Sequence, residues 1–424
     1  MKKIFKNLLK NPMLIVFLVI LIFFAPTAIF APGENRERGV VTAVGIDKVD
    51  DEYEVSFLVF IPSANQTFDD KESVITGKGN SVGEAVYEAQ IAMGRKMGLY
   101  HAKTTIVNLE LMEEDGINAL DYFGRVAGLP ENTVFICTDK TAKELLSSAQ
   151  SLRDDLGFKL EQLVGYNATN IYQNETSLEA FYRGYYSPVK SSIVGFLTTT
   201  TQSEKEKFEM EVNSSESGQS SGDSMQGGGE DDSGSAKGGG SEEEPKSIIN
   251  TGQGVIVKNG KVVKILSLDQ INSINLLSNK SQKQVVKIED INLDDEIVNA
   301  VYKVMYKNVN VASKFENGIP VFNANVVIDL SLIEIENATS KLAVNTEITK
   351  MTSEIVQKLD QKFKNDFAGV VKILKEEKTD VLGVTELFMK ENRKDYIEYL
   401  KQGTKSEDFI ENVVFKLELS FQTD

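Results

Sequence analysis

Residues 213–245 read NSSESGQSSGDSMQGGGEDDSGSAKGGGSEEEP, and only Met225 and Ala236 among them are apolar. Such a stretch cannot bury enough surface to offset the entropy of ordering it. It reads as a Gly/Ser coil extended by acidic self-repulsion, spanning on the order of 30 Å. No packed core can run through it, so the chain must fold on either side. The carboxylates of Glu230, Asp231 and Asp232 suggest a calcium site. Nothing in a Gly/Ser coil fixes them in a coordination shell, so they read as solvated linker charge.

A second feature sits near the start. Residues 13–31 are apolar and follow Lys2, Lys3, Lys6 and Lys10. As a helix they would span roughly 28 Å, close to a bilayer core. Lysines before the run and none just after it place the N-terminus inside and the remainder outside. The rival reading is a signal peptide cut after Ala31, which would leave Pro32 first and puts Ile29 where a small residue is expected. An uncleaved anchor fits better, and either reading exports everything after Gly33.

Composition removes several function classes. Asp and Glu number 63 against 46 Lys and Arg, a formal charge of −17. Nucleic acid and anionic lipid both need a basic footprint, so neither is an expected partner. One cysteine, Cys137, excludes an internal disulfide, and one histidine, His101, leaves a His/Cys zinc site without ligands. A Ser-His-Asp or Cys-His set would rest on His101 alone. No catalytic, cofactor-binding or metal-ligating residue is therefore assigned, and no cofactor is expected.

The first exported part alternates strands and helices. Residues 39–47 and 53–61 read as strands joined at KVDDE, and SVITGKG as a third strand. Ser81 with Glu84 three residues on forms a capping box for a helix whose apolar stripe is Ala85, Ala89, Ala92 and Met93. KTTIVNLEL reads as a buried strand, 115–126 as a helix, NTVFICT as a strand, 141–149 as a short helix, and 152–186 as helical with loops. This order favours a mixed sheet with helices packed on it.

After the linker, GVIVKNGKVVKIL places Asn259-Gly260 between two apolar strands, the chemistry of a type I′ turn. Ser267 and Gln270 cap a short helix, and Asn317-Gly318 joins two longer strands. Residues 345–377 then read as one helix with Met351, Ile355, Leu359, Phe363 and Phe367 every four residues and Leu374 near the same face. That stripe is the buried side of an amphipathic helix. It is expected to pack on a sheet built from the Asn259-Gly260 and Asn317-Gly318 hairpins and the final strand, 413–421. The opposite face carries Lys358, Lys362 and Glu376. VTELFMKENRKDYIEYL reads as one further helix.

The expected class is α+β, with an N-terminal transmembrane helix and extracytoplasmic mixed-sheet domains split by the linker. The divisions are 1–33 stub and anchor (or signal peptide), 34–150 N-terminal α/β domain, 151–202 helical bridge or small middle domain, 203–249 disordered acidic Gly/Ser linker and 250–424 C-terminal α/β domain.

RERGVVTAVGIDKVDDEYEVSFLVFIP resembles the opening of the GerAC-like (Ger(x)C) family, the C subunits of spore nutrient germinant receptors. Arg36, Glu37, Gly45, Ile46 and Asp47 stand at matching positions. The resemblance continues through Gly77, Gly79, His101 and Gly116, through TVFICTDKTAKELL, and in the closing KTDVLGVTELFMKENRKDYIEYL and VVFKLELSF. The family is usually tethered by a lipid on a cysteine before the first strand. Here Pro32-Gly33-Glu34-Asn35 occupies that place, and residues 13–31 would supply the anchor instead. The resemblance implies a non-enzymatic receptor subunit of the cell membrane (the spore inner membrane in a sporulating host), with A-type and B-type integral membrane partners.

The remaining motifs have structural readings. Gly45 and Asp47 fit a strand end and turn. Gly77 and Gly79 suggest a phosphate cradle, but no Lys-Ser/Thr follows, so they read as turn glycines. His101 reads as a hydrogen-bonded loop histidine rather than a proton switch. Two other functions compete: a carboxylate hydrolase using Glu113-Glu114 or Asp50-Asp51, whose carboxylates would face each other at roughly 5–9 Å across a cleft, and a solute-binding module with a deep polar pocket between the halves.

Overall fold

The computed structural model describes Met13 and residues 38–60, 72–150, 177–201, 247–277, 283–293, 296–336 and 353–423. Among the described residues no helix is long and apolar enough to cross a membrane. Apart from Met13, the expected span at 13–31 lies outside them, as do the linker 213–245, Glu230, Asp231 and Asp232.

The architecture is α+β, as expected, with two mixed sheets. β1 (Arg38–Val49) and β2 (Glu52–Phe60) form the antiparallel hairpin that alternation predicts. Its turn places Asp50 and Asp51 at φ of 53° and 66°, the left-handed pair of a type I′ turn that short polar side chains tolerate. β3 (Glu72–Gly79) adds to β2. Helix α1 (Val82–Met93) follows, with Ser81 Oγ accepting from the Glu84 N–H at 3.2 Å. Its buried residues are Val82, Ala85, Val86 and Ala89, whereas Ala92 is exposed, so the apolar stripe lies one turn nearer the N-terminus than expected.

β4 (Lys96–Gly98) and β5 (Thr104–Asn108) both run parallel to β1. KTTIVNLEL is not one strand: Asn108 Oδ1 accepts from the Glu110 and Leu111 N–H groups and starts helix α2 (Leu109–Glu114). α3 (Gly116–Tyr122), β6 (Val134–Thr138), α4 (Ala142–Gln150) and α5 (Leu178–Tyr185) complete the expected alternation. Of the stretch 152–186, read as helical with loops, residues 152–176 lie outside the described residues; β7 (Ser191–Thr201) follows it as a strand.

The largest difference from expectation concerns the hairpin after the linker. β8 (Ser247–Lys258) and β9 (Lys261–Leu266) turn at Asn259 and Gly260, with φ of 51° and 79°. β8 pairs antiparallel with β7, from Ser191↔Lys258 to Thr201↔Ser247. The hairpin therefore completes the first sheet, ordered β3-β2-β1-β5-β6-β7-β8-β9. β7 would otherwise expose an unpaired edge of backbone groups, which the hairpin satisfies. Strand alternation predicts the hairpin but carries no information about which sheet it joins.

The second sheet is β10 (Lys283–Leu293), β11 (Glu296–Glu316), β12 (Ile319–Glu336) and β13 (Val414–Thr423), in that order. α6 (Leu268–Leu277) starts in the expected capping box, with Gln270 Oε1 accepting from the Ser267 N–H at 2.9 Å. α7 (Ser353–Glu376) buries Ile355, Leu359, Phe363, Phe367, Val370 and Leu374; Met351 lies outside the described residues. Phe363 and Phe367 meet Phe421 and Phe415 of β13, with centroids 6.4 and 6.1 Å apart. Lys358 does not lie on a free face, because its ammonium reaches the carbonyls of Glu289 and Asp290 at the bulge in β10.

The last helical segment is broken into α8 (Val384–Glu391) and α9 (Arg393–Lys401). At the break Asn392 Nδ2 donates to Ser313 O and Oγ, both at 2.8 Å, and Glu391 accepts from Ser313 N and Oγ at 2.8 and 2.7 Å. Those bonds tie the break to β11.

The far end of the first sheet separates the two cores and contributes side chains to both. Val194, Phe196, Val255 and Val257 face the helices of the N-terminal core. Their neighbours Ile193, Ile256 and Leu266 join the core of α6, α7 and the second sheet. The period-two pleat sends successive side chains into different cores.

Candidate functional site

Asp47 lies at the end of β1 and is 1% exposed. Its carboxylate accepts from the N–H groups of Ala142 and Lys143 at 2.6 and 3.1 Å, capping α4 from 95 residues away. Burial pushes its pKa up to about 6 against the lowering effect of those two N–H donors. Beside it Lys143 pairs with buried Glu54 at 2.7 Å. A Cβ on Gly45 would sit 2.9 Å from Ala142 Cβ, so the glycine lets α4 approach the sheet. Gly45 and Asp47 are structural, as expected, but they serve a helix rather than the hairpin turn.

Gly77 and Gly79 form neither a turn nor a phosphate cradle. A Cβ on Gly77 would lie 2.1 Å from the Ala85 carbonyl oxygen and one on Gly79 2.5 Å from Glu84 Cβ. The two glycines sit under α1, whose backbone fills the space a phosphate would need. His101 is exposed, and its ring packs 4.5 Å from that of Tyr100; among the described residues no hydrogen bond fixes the imidazole to its loop. Cys137 is buried in β6, and burial pushes its thiol up to about 12. The acidic pairs form surface contacts. Lys48 reaches Glu114 at 2.8 Å and the fully exposed Asp51 at 4.0 Å, and Tyr53 donates to Asp115.

The junction of the two parts has more built geometry. Lys258, at the end of β8, donates to the carbonyls of Glu377 and Lys378 at 3.1 and 3.0 Å, closing the C-terminus of α7. That position is favourable for a cation, although burial lowers the pKa of this amine. Lys378 in turn bridges Asp408 and Glu411 at 3.0 and 3.1 Å. Next to this contact a cavity of about 480 Å³ opens between α5 and the start of α8, with Val189 and Ile193 on one side and Val381 and Met389 on the other. Asp380 also lines it, is 4% exposed, and accepts from the N–H groups of Val384 and Thr385 at 2.9 and 2.6 Å. Burial raises its pKa. The cavity wall is largely apolar, and the buried carboxylate is occupied with a helix start. This is not the deep polar pocket that a solute-binding module would place between the halves.

The buried carboxylates of Asp47 and Asp380 and the half-buried ammonium of Lys258 all hold helix ends. A chain signal for one of these contacts was present: Asp380 sits four residues before Val384. Nothing local announces that Lys258 reaches α7 or that Asp47 reaches α4.

These contacts define an α+β protein of two interlocked parts. Residues 34–199 match the Spore germination protein N-terminal domain, and residues 251–422 match Spore germination B3/ GerAC like, C-terminal. The chain belongs to the GerAC-like family of spore germination proteins. A solved structure, "Crystal Structure of the GerBC protein", is similar at 16% identity, covering 90% of this chain and 96% of that chain with a TM-score of 0.47. No curated protein matches.

Proposed function

We propose that this chain is the non-enzymatic, exported C subunit of a germinant-receptor complex that serves spore germination in response to nutrients. Residues 13–31 hold it to the membrane, and A-type and B-type integral membrane subunits are its partners. The observation that carries this reading is the ordered match of both family domains, which leaves out only the N-terminal run, the linker region and the last residues. The geometry agrees with it, since the buried charges near the junction and in the first sheet are engaged in holding the fold. Removing the gene should abolish spore outgrowth on at least one nutrient, and restoring the intact chain should recover it. Unchanged responses to every nutrient tested would contradict the proposal.

A further inference from the structure

Three elements meet at one end of the first sheet. Arg38, Gly39 and Val40 at the start of β1 pair with Lys96, Met97 and Gly98 of β4. A Cβ on Gly39 would lie 2.7 Å from Sδ of Met93, the last residue of α1. Two large side chains stand out of α1 one turn apart, Tyr87 at 66% exposed and Ile91 at 63%. Tyr100 is 49% exposed, and its ring lies over β4, where a Cβ on Gly98 would come within 2.9 Å of it.

The charge on this stretch is opposite in sign to that of the whole chain. Residues 89–109 hold Arg95, Lys96 and Lys103 and no Asp or Glu. All three cations are exposed, and among the described residues none of them is in an ion pair. Glu88, the acid just before the stretch, is engaged with the Lys78 N–H at 2.6 Å. Exposed rings and an aliphatic side chain beside unpaired cations fit the headgroup layer of a bilayer, where rings sit at the boundary and cations meet phosphate. The net charge of −17 opposes adhesion of the surface as a whole, but not of this end.

The chain itself brings a bilayer within reach. Six residues, 32–37, separate the apolar run 13–31 from β1, and fully extended they span about 20 Å. The turn between β1 and β2 lies at the other end of a 12-residue strand, roughly 40 Å away.

We infer that the end of the first sheet formed by the start of β1, β4 and the last turn of α1 lies on the membrane surface, with Ile91 and Tyr100 in the headgroup layer and Arg95, Lys96 and Lys103 against anionic phospholipid. This rests on the reading of residues 13–31 as an anchor, and the test separates the two.

The full-length chain is reconstituted into vesicles of phosphatidylcholine, alone or with phosphatidylglycerol. A fluorophore is placed in turn on Ala92→Cys, His101→Cys and Glu52→Cys, the last beside the far turn. Cys137 is buried, so the label goes to the new thiol. A nitroxide on the lipid headgroup should quench positions 92 and 101 about threefold more than position 52, and more strongly when phosphatidylglycerol is present. Combining Arg95→Glu, Lys96→Glu and Lys103→Glu should bring position 92 down to the level of position 52, with the Tm unchanged and the chain still floating with the vesicles. Equal quenching at all three positions, in a chain that floats with the vesicles, would overturn the inference and leave the anchor standing. So would shielding of positions 92 and 101 that needs other membrane proteins, which would make this end a protein contact. A chain that floats with neither kind of vesicle would refute the anchor and the inference with it.

Discussion

Asp47 links one residue's environment to the stability of the N-terminal core. Its folded pKa is raised from 3.8 to about 6, with burial as the largest cause. The folded state therefore holds this proton more tightly than the unfolded chain. The stabilisation is fully present below pH 3.8 and is lost as pH rises through about 6. Two units correspond to about 3 kcal/mol. Asp47→Asn removes the titration, so the stability of wild type relative to this variant should fall by up to that amount between pH 4 and pH 7. Urea unfolding across that range reads it, and a rise with pH would contradict the assignment. Gly77→Ala belongs to the same scale. Its new methyl group would meet the backbone of α1 at 2.1 Å, so the helix must shift, at a cost of about 1–3 kcal/mol. Both residues were legible in the sequence as structural. Their partners were not, since Gly77 meets the backbone of the helix packed directly on its strand and Asp47 a backbone 95 residues on.

Among the elements, α7 was the most legible, because its apolar residues recur at helical spacing over several turns. Phe363→Ala should cost about 3–5 kcal/mol, since the ring is 5% exposed and packs on Phe421. The melting temperature decides between core and interface. An unchanged value would mean that this face binds a partner instead of the sheet. Two elements were misread because asparagine side-chain hydrogen bonds, one local and one long-range, overrode an apolar pattern. Asn108 caps α2 inside a run that alternates like a strand, and an Asn followed two residues later by Glu110 in the first helical turn was the available signal. Asn392, between α8 and α9, bonds to Ser313 of β11. Asn392→Ala should cost about 1–2 kcal/mol through those two bonds, measured as a lower urea midpoint.

For the whole molecule, composition reads 213–245 as a linker, and the family matches stop before it and resume after it. Which strands share a sheet was not legible, because pairing between β7 and β8 depends on an edge that no local pattern marks. That pairing has a consequence for cleavage. A protease should cut first within 213–245, where the chain is polar and rich in glycine. The two pieces should then elute together under native conditions, held by β7 against β8 and by the shared core. Separation without denaturant would contradict the sheet order. Lys258→Ala should weaken the same junction, lowering the Tm of the intact chain, because the C-terminal carbonyls of α7 lose their donor.

The receptor-subunit proposal depends on contacts with other chains, so the most direct test is to isolate the full-length chain from membranes in mild detergent, by an affinity tag, and identify what accompanies it. The account predicts an A-type and a B-type integral membrane subunit in a fixed ratio to the tagged chain. Recovery of the chain alone, as a monomer, from membranes that contain both subunits would contradict it.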